Sequence, residues 1–154
     1  MITQPAIPRL LEAIRDELTN TIKPALSDPT MRVNVDMMTA VLNALVVRTE
    51  HEIAWMRAEA DTIEAAADRL LPTLADSAAA DAALAAYRSL RNESLVLSEV
   101  QGDYDRATEV LSCLTGAAYA SGNADAIAQV EALFAHRLGT ENNAIGEFLA
   151  VGRD

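Results

Sequence analysis

The chain has 154 residues, of which 51 % are hydrophobic, 23 % are charged and only 4 % are aromatic. This length predicts one domain over residues 1–154 with an aliphatic core, and residues 72–76 are the alternative boundary between two subdomains. The net charge of −11, from 23 acidic and 12 basic residues, argues against binding to nucleic acid or to an anionic membrane. No apolar run reaches the roughly 18 residues of a membrane span.

The N-terminus lacks the basic and apolar regions of a signal peptide. Cys113 is the single cysteine, so an intrachain disulfide is impossible, as is typical of a reducing compartment. We therefore expect a cytoplasmic protein in which Cys113 is a small core residue. Thirty alanines and eleven arginines against one lysine are also typical of a GC-rich bacterial genome.

Glycine is absent from the first 101 residues, because all six glycines lie at Gly102 or later. This excludes a glycine-rich phosphate loop there, and the later glycines form no G-x-G-x-x-G motif. The Glu-x-x-His pairs of di-iron bundles are also missing, since Arg48 precedes His51 by three residues and Leu133 precedes His136. The sequence thus predicts no catalytic, cofactor-binding or metal-binding residues.

The first helix is predicted from apolar residues that recur every three or four positions, with charged residues between them. This pattern is typical of an amphipathic helix with one buried stripe. Pro24 should kink or end the helix, because proline lacks the N–H that an interior turn requires. The apolar positions are Ile7, Leu10, Leu11, Ile14, Leu18 and Ile22.

One long helix is predicted over residues 29–70. Ser27 and Asp28 supply a cap and Pro29 the first helical position, and no glycine or proline follows until Pro72. The weakly packing residues 58–61 would allow a break. An apolar stripe of this length usually packs against other helices, here through Met38, Leu42, Leu45, Thr49, Ile53, Met56, Ala60, Ile63, Ala67 and Leu70.

The remaining residues predict shorter helices. Asp76 and Ser77 should cap the third helix, and Gly122 should end the fourth. A fifth helix should close at Gly139, and Thr140 should cap a last short one. Strand patterns are nearly absent, so the sequence predicts an all-α bundle of about five to six helices.

Four side chains on one side of the long helix form a candidate interface for a protein partner. Arg48, His51, Glu52 and Trp55 occupy successive turns beside the apolar stripe, and tryptophan and arginine are enriched at binding hot spots. The alternative interpretation is that Trp55 covers the edge of its own core.

Two other groups on the long helix have a structural and a functional interpretation. The methionines are predicted to fill the core, and an adaptable binding surface is the alternative for Met31, Met37, Met38 and Met56. The acidic residues are predicted to form a solvated charged face, and a carboxylate pair for acid–base chemistry is the alternative for Glu50, Glu52, Glu59, Asp61, Glu64 and Asp68.

Residues 5–60 resemble a family of small uncharacterised bacterial helical proteins. The similar stretches are PRLLEAIRDEL at 8–18, IKPAL at 22–26 and NALVVRTE at 43–50. Members of that family accompany aminoglycoside-phosphotransferase-like kinases and acyl-CoA dehydrogenases. The resemblance implies an accessory subunit that supports an enzyme acting on acyl-CoA or hydroxyacyl-CoA.

Three functions remain open from the sequence. The first is a non-catalytic helical protein that binds a larger enzyme or a second copy of itself through Arg48 and Trp55. The second is a helical bundle that holds a small apolar ligand, such as an acyl chain. The third is an enzyme that uses His51, Glu52 or Tyr104.

Overall fold

The computed structural model describes residues 4–145, and these residues form an all-α fold. The helical elements of this part of the chain are five long α-helices, the three-residue α2 (Lys23–Ala25), a π-helical turn (Leu18–Ile22) and a 3-10 turn (Leu71–Thr73), in agreement with the predicted five to six helices. None of the described helices is both long enough and apolar enough to cross a membrane. The elements are α1 (Ile7–Glu17), α2 (Lys23–Ala25), α3 (Pro29–Leu70), α4 (Ala78–Leu90), α5 (Leu97–Ser121) and α6 (Ala124–Ile145).

Pro24 ends the first helical segment, as predicted. A π-helical turn, Leu18–Ile22, joins α1 to α2, and the Lys23 N–H donates to the carbonyl of Leu18. The helix is wider in this turn because Pro24 cannot donate to the carbonyl one turn earlier and its ring would clash with it. Helical structure then stops at Leu26, which is extended.

The caps of α3 and α4 differ. The Asp28 carboxylate accepts a hydrogen bond from the Thr30 N–H at 2.8 Å, which confirms the predicted start of α3. Ser77 occupies the capping position of α4 but makes no side-chain cap. Its hydroxyl instead donates to the Asp81 carboxylate at 2.7 Å, so the predicted Ser77 cap is wrong in its bonding, although the helix begins where expected.

The long helix is continuous. α3 runs for 42 residues from Pro29 to Leu70 and passes through residues 58–61 without a break. The alternating residues 31–36 are also helical. A run without glycine or interior proline therefore gives one helix about 60 Å long.

The chain divides into two compact units. Unit 1 comprises the residues up to Glu52 and those from Thr140 onward, and unit 2 comprises Ile53–Gly139. The boundaries lie inside α3 and α6, whereas residues 72–76 lie within unit 2. The single domain of residues 1–154 remains a prediction.

Unit 2 contains an aliphatic core formed by α3, α4, α5 and α6. The predicted stripe of α3 supplies Ala60, Ile63, Ala67 and Leu70 to this core, and Leu111, Leu114 and Val130 are at most 1 % exposed. Alanines allow the helices to approach closely, because Ala67, Ala107 and Ala118 are fully buried. The other large members are Leu71, Leu74, Leu84, Tyr87 and Val110.

Unit 1 contains an antiparallel helical hairpin, formed by α1, α2 and residues 29–52 of α3. Arg15 donates to the Asn43 side chain at 3.1 Å, and Lys23 donates to Asp36 at 2.6 Å. From Arg15 to Lys23 the first segment advances by eight residues, whereas their partners on α3 lie seven residues apart in the opposite order, Asn43 and then Asp36. The direction is antiparallel because paired residues move in opposite directions along the two segments.

The expected burial of the α1 stripe is wrong. No residue of α1 is buried, and Ile7 and Ile14 remain 62 % and 53 % exposed. Among the described residues of unit 1, only Val35 is buried. The reason is geometric, since two helices in contact cover only the strip between them and leave the rest of a broad apolar face open.

Glycine ends α5 but does not end α6. Gly122 adopts φ = 64° in the left-handed region and closes α5, as predicted. The predicted end at Gly139 and new start at Thr140 are wrong, because α6 runs through both positions to Ile145. A glycine with ordinary helical geometry costs only about 1 kcal/mol relative to alanine, which is too little to end a helix.

Two glycine-to-alanine substitutions should change stability in opposite directions. An added Cβ at Gly116 would meet no atom within 4 Å, so Gly116→Ala should raise the free energy of unfolding by about 0.5–1 kcal/mol. Gly122→Ala should lower it by about 1 kcal/mol, because alanine is strained at positive φ. Urea unfolding followed by circular dichroism measures both, and equal effects would contradict the geometry assigned to Gly122.

Candidate functional site

Asp103 is the one buried charged residue in the described part of the chain, with 1 % exposure. Its carboxylate accepts hydrogen bonds from Arg57 at 2.7 Å, from the Asn92 N–H at 3.3 Å and from Arg106. Burial raises the pKa of Asp103, but the bonds from Arg106, Asn92 and Arg57 outweigh it and hold the pKa below its ordinary value of 3.8. The carboxylate is therefore ionised and surrounded by donors.

The same cluster fixes the connection between α4 and α5. Arg57 donates to the Ser94 carbonyl at 2.8 Å, and the Asn92 side chain accepts from the Ser94 N–H at 2.8 Å. One arginine on α3 thus binds both the buried Asp103 carboxylate and the backbone of the loop. This arrangement can hold the loop in place, since each bond pairs a donor with an acceptor already inside the protein.

Three acidic residues of α3 in unit 2 form ion pairs with Arg88 of α4 and with Arg91, the residue that follows α4. Arg88 bridges Glu64 at 2.6 Å and Asp68 at 2.7 Å. Arg91 bridges Asp61 at 2.6 Å and Glu64 at 2.9 Å. Asp61 and Asp68 are 57 % and 56 % exposed, so they form the predicted solvated face, whereas Glu64 is only 21 % exposed. Asp61, Glu64 and Asp68 lie about one turn apart on α3, and Arg88 and Arg91 have a similar spacing. The two segments run antiparallel, so the later arginine binds the earlier acidic residues.

Glu59 and Tyr104 belong to another polar cluster in unit 2. The Tyr104 hydroxyl donates to Glu59 at 3.0 Å, and Arg137 pairs with the same carboxylate and donates to the Thr108 hydroxyl at 3.0 Å. The Arg137 guanidinium also lies 5.3 Å from the centre of the Tyr104 ring. These contacts link three helices, α3, α5 and α6.

The Tyr87 hydroxyl is buried without a hydrogen-bond partner. Burial raises the pKa of this hydroxyl, and the ring lies 5.7 Å from the Arg91 guanidinium. Tyr87→Phe keeps the ring and removes the desolvated hydroxyl, so we expect the free energy of unfolding to stay constant or rise by up to about 1 kcal/mol. A loss above about 1 kcal/mol in urea unfolding would show that the hydroxyl has a partner.

Cys113 is partly buried against the core of unit 2, close to its predicted role as a core residue. Its thiol donates to the Glu109 carboxylate at 3.6 Å. Burial and this carboxylate both raise the pKa of the thiol. A reactive cysteine requires the opposite shift.

The predicted interface residues lie in different surroundings along α3. Arg48 is exposed and pairs with Glu52, four residues later. His51 is exposed, and its Nε2 atom lies 3.8 Å from a carboxylate oxygen of Glu50. Trp55 is partly buried and belongs to unit 2, whereas the other three residues belong to unit 1. Their role at an interface remains a prediction.

An apolar groove lies between the two segments of the unit 1 hairpin. It is open to solvent, has a volume of about 430 Å³, and is lined by Ile14, Leu18, Met37, Met38, Val41 and Leu42. Met37 and Met38 are each 55 % exposed and Val41 is 50 % exposed. The alternative interpretation of these methionines as a binding surface therefore fits their exposure better than core filling does.

Sequence reasoning placed Met38 in a buried stripe and missed the groove. The available signal was the width of the apolar face, because Met37 and Val41 lie beside the predicted stripe of α3 and extend it around the helix. One facing helix cannot cover a face of that width.

The described residues contain no group of three or more His, Cys, Asp or Glu side chains that could hold a metal ion. The groove of unit 1 is lined by apolar side chains alone. Comparison of the chain with protein-family models, with curated proteins and with solved structures finds no match.

Proposed function

We propose that the protein is a non-catalytic interaction protein whose unit 1 hairpin binds another protein. The observation that carries this proposal is the exposed apolar face around the groove. It consists of eight large aliphatic side chains that are 37–62 % exposed: Ile7, Leu10, Ile14, Met31, Met37, Met38, Val41 and Leu45. Contiguous apolar surface of this kind marks interaction sites in soluble proteins.

These side chains share one face of each helix. Ile7 and Ile14 are seven residues apart on α1, and Met31, Met38 and Leu45 repeat at the same interval on α3. A seven-residue interval returns to nearly the same side of a helix, which is the geometry of a helix-packing seam. The apolar face therefore suits another helical surface.

The polar clusters of unit 2 support a structural role for that unit. Asp103, Glu59 and Glu64 each bind arginines from other parts of unit 2. Their charges already have partners, which stabilises the packing of the helices in unit 2.

The resemblance of residues 5–60 suggests one class of partner, an enzyme of acyl-CoA or hydroxyacyl-CoA metabolism that this protein would support as an accessory subunit, and a second copy of this chain is the other candidate. Arg48 and Glu52 lie on the same side of α3 as the apolar face, in the two turns that follow Leu45 within unit 1. Their ion pair would lie at the edge of such a contact. Arg48→Ala should then weaken partner binding less than a charge placed at Met38.

A small apolar ligand is the second candidate, favoured by the volume and wholly apolar lining of the groove. Pockets for drug-sized ligands have volumes of about 300–1,000 Å³ and are mainly apolar. An environment-sensitive apolar dye tests this candidate. Saturable binding to a monomer that is lost in Met38→Glu would favour the ligand over a protein partner.

Methionine oxidation tests whether a protein covers the apolar face. Met37 and Met38 are expected to resist hydrogen peroxide in the assembled protein and to oxidise readily after dilution or in urea. The exposed Met31 provides a third reporter on the same face. Full oxidation of Met37 and Met38 under all conditions, including in cell extract, would contradict the proposed function.

A further inference from the structure

We infer that the partner on the apolar face is a second copy of this chain, so that two hairpins form a four-helix bundle across a two-fold axis. This inference rests on the proposed function, because it assigns the occupant of the same surface. Three properties of the hairpin support it: its shape, its area and its charge.

The shape of the hairpin is that of half a four-helix bundle. The segment from Ile7 to Ala25 is about 28 Å long at 1.5 Å per residue and pairs antiparallel with α3. Both segments contribute side chains to one groove, Ile14 and Leu18 from the first and Met38 and Val41 from α3. Two such hairpins placed face to face would enclose both apolar faces in one core.

The exposed area matches what one subunit contributes to a stable dimer. The eight side chains of the apolar face average about half exposed, and together they offer on the order of 700 Å² of apolar surface, against roughly 800 Å² per partner in a standard interface. A second copy presents the same area and length.

The charge distribution permits self-association at this surface. Residues 1–52 contain five Lys and Arg against seven Asp and Glu, a net charge of −2, so −9 of the chain's −11 lies in residues 53–154. Repulsion between identical copies is therefore weakest at the hairpin.

The charges of the hairpin are also paired within it. Arg9 pairs with Glu12 at 2.9 Å, Arg15 with Asp16 at 2.9 Å and Lys23 with Asp36 at 2.6 Å. A strongly charged partner would gain little from these paired side chains, whereas a second copy, with a net charge of only −2 over residues 1–52, meets only weak repulsion. Charge complementarity thus favours a second copy over a strongly acidic or basic protein.

The variant Met38→Glu tests the inference, with Asn43→Asp as its matched control. Asn43 lies five residues later on the same helix, about 140° around from Met38 and about 120° around from Met37, and both Met38 and Asn43 are exposed. Each dimer would bury two of the new carboxylates at position 38. Each buried carboxylate without a partner should raise the dimer dissociation constant by at least about a factor of ten, so the two together should raise it about 100-fold or more.

Sedimentation equilibrium over a wide concentration range gives the mass of the wild type and both variants. The expected result is a wild-type dimer, a dimeric Asn43→Asp and a monomeric Met38→Glu that keeps the helical circular dichroism of the wild type. A Met38→Glu that dimerises as tightly as the wild type would overturn the inference, because the dimer would then use another surface.

The mass of the wild type also decides the inference without any variant. The dissociation constants of such interfaces are usually nanomolar to micromolar. A wild type that is strictly monomeric at about 100 μM would therefore overturn the inference that a second copy binds the apolar face. The proposed function would survive that result if Met37 and Met38 became protected from oxidation in cell extract. Full oxidation there as well would contradict both.

Discussion

Asp103→Asn is expected to lower the free energy of unfolding by about 3 kcal/mol, because it removes the negative charge at the centre of a buried cluster. One carboxylate oxygen of Asp103 accepts from both Arg57 and the Asn92 N–H, and the other accepts from Arg106. An asparagine amide can accept at only one of these positions. Its NH₂ group must then face a donor in either orientation.

The effect of Asp103→Asn should depend on pH in a defined direction. The pKa of Asp103 in the folded protein is below its ordinary value of 3.8, so the carboxylate stabilises the fold at any pH above that value. This contribution is lost as the pH falls below 3.8 and through the folded pKa, where wild-type Asp103 becomes protonated. The difference between wild type and variant should therefore be constant near neutrality and shrink in acid.

Urea unfolding between pH 3 and pH 8 measures this difference. The matched control is Asp105→Asn, the same substitution at an exposed position two residues later on α5. The control should change the free energy of unfolding by less than about 0.5 kcal/mol. A similar small change in Asp103→Asn would mean that the donors around Asp103 find other acceptors.

Leu114→Ala is expected to lower the free energy of unfolding by about 3 kcal/mol, within the 2–5 kcal/mol range for large core side chains. Leu114 is fully buried in the core of unit 2. Its removal leaves a cavity that the surrounding helices can fill only in part, since their backbones already pack through small alanines.

The control for Leu114→Ala is Leu95→Ala, because Leu95 is 77 % exposed in the loop before α5. We expect a change of less than about 0.5 kcal/mol at this position. Urea unfolding at neutral pH compares the two variants, and the slope of the transition checks that the folded state keeps its compactness. Equal losses in both variants would contradict the packing described for unit 2.

The helices of this protein could be predicted from sequence because their signals are local. Asp28 and Pro29 mark the start of α3 within one turn, and Gly122 marks the end of α5 by its own backbone preference. Gly139 carries the same sequence signal as Gly122, yet α6 continues through it. The difference depends on φ at that residue, which the identity of the residue alone does not determine.

The burial of each helix and the polar contacts between helices could not be predicted from sequence. Apolar residues recur at intervals of three or four in both α1 and α5, but of the two helices only α5 is covered by several neighbours, so Leu114 is buried and Ile14 is exposed. The acids of α3 could be matched to Arg88 and Arg91 only once the antiparallel register of α3 and α4 was known. The groove likewise depends on which helix meets the α1 stripe.

The continuity of α3 has a consequence for how the hairpin folds. Starting a helix is unfavourable, with a nucleation constant of about 10⁻³, whereas each added residue gains one hydrogen bond for the residue that it orders. The part of α3 after Ile53 is ordered by the core of unit 2, so residues 29–52 can grow from an existing helical end without a nucleus of their own. The rate of backbone amide hydrogen exchange should therefore increase progressively from residue 52 toward Pro29, because this part of α3 unfolds from its free end.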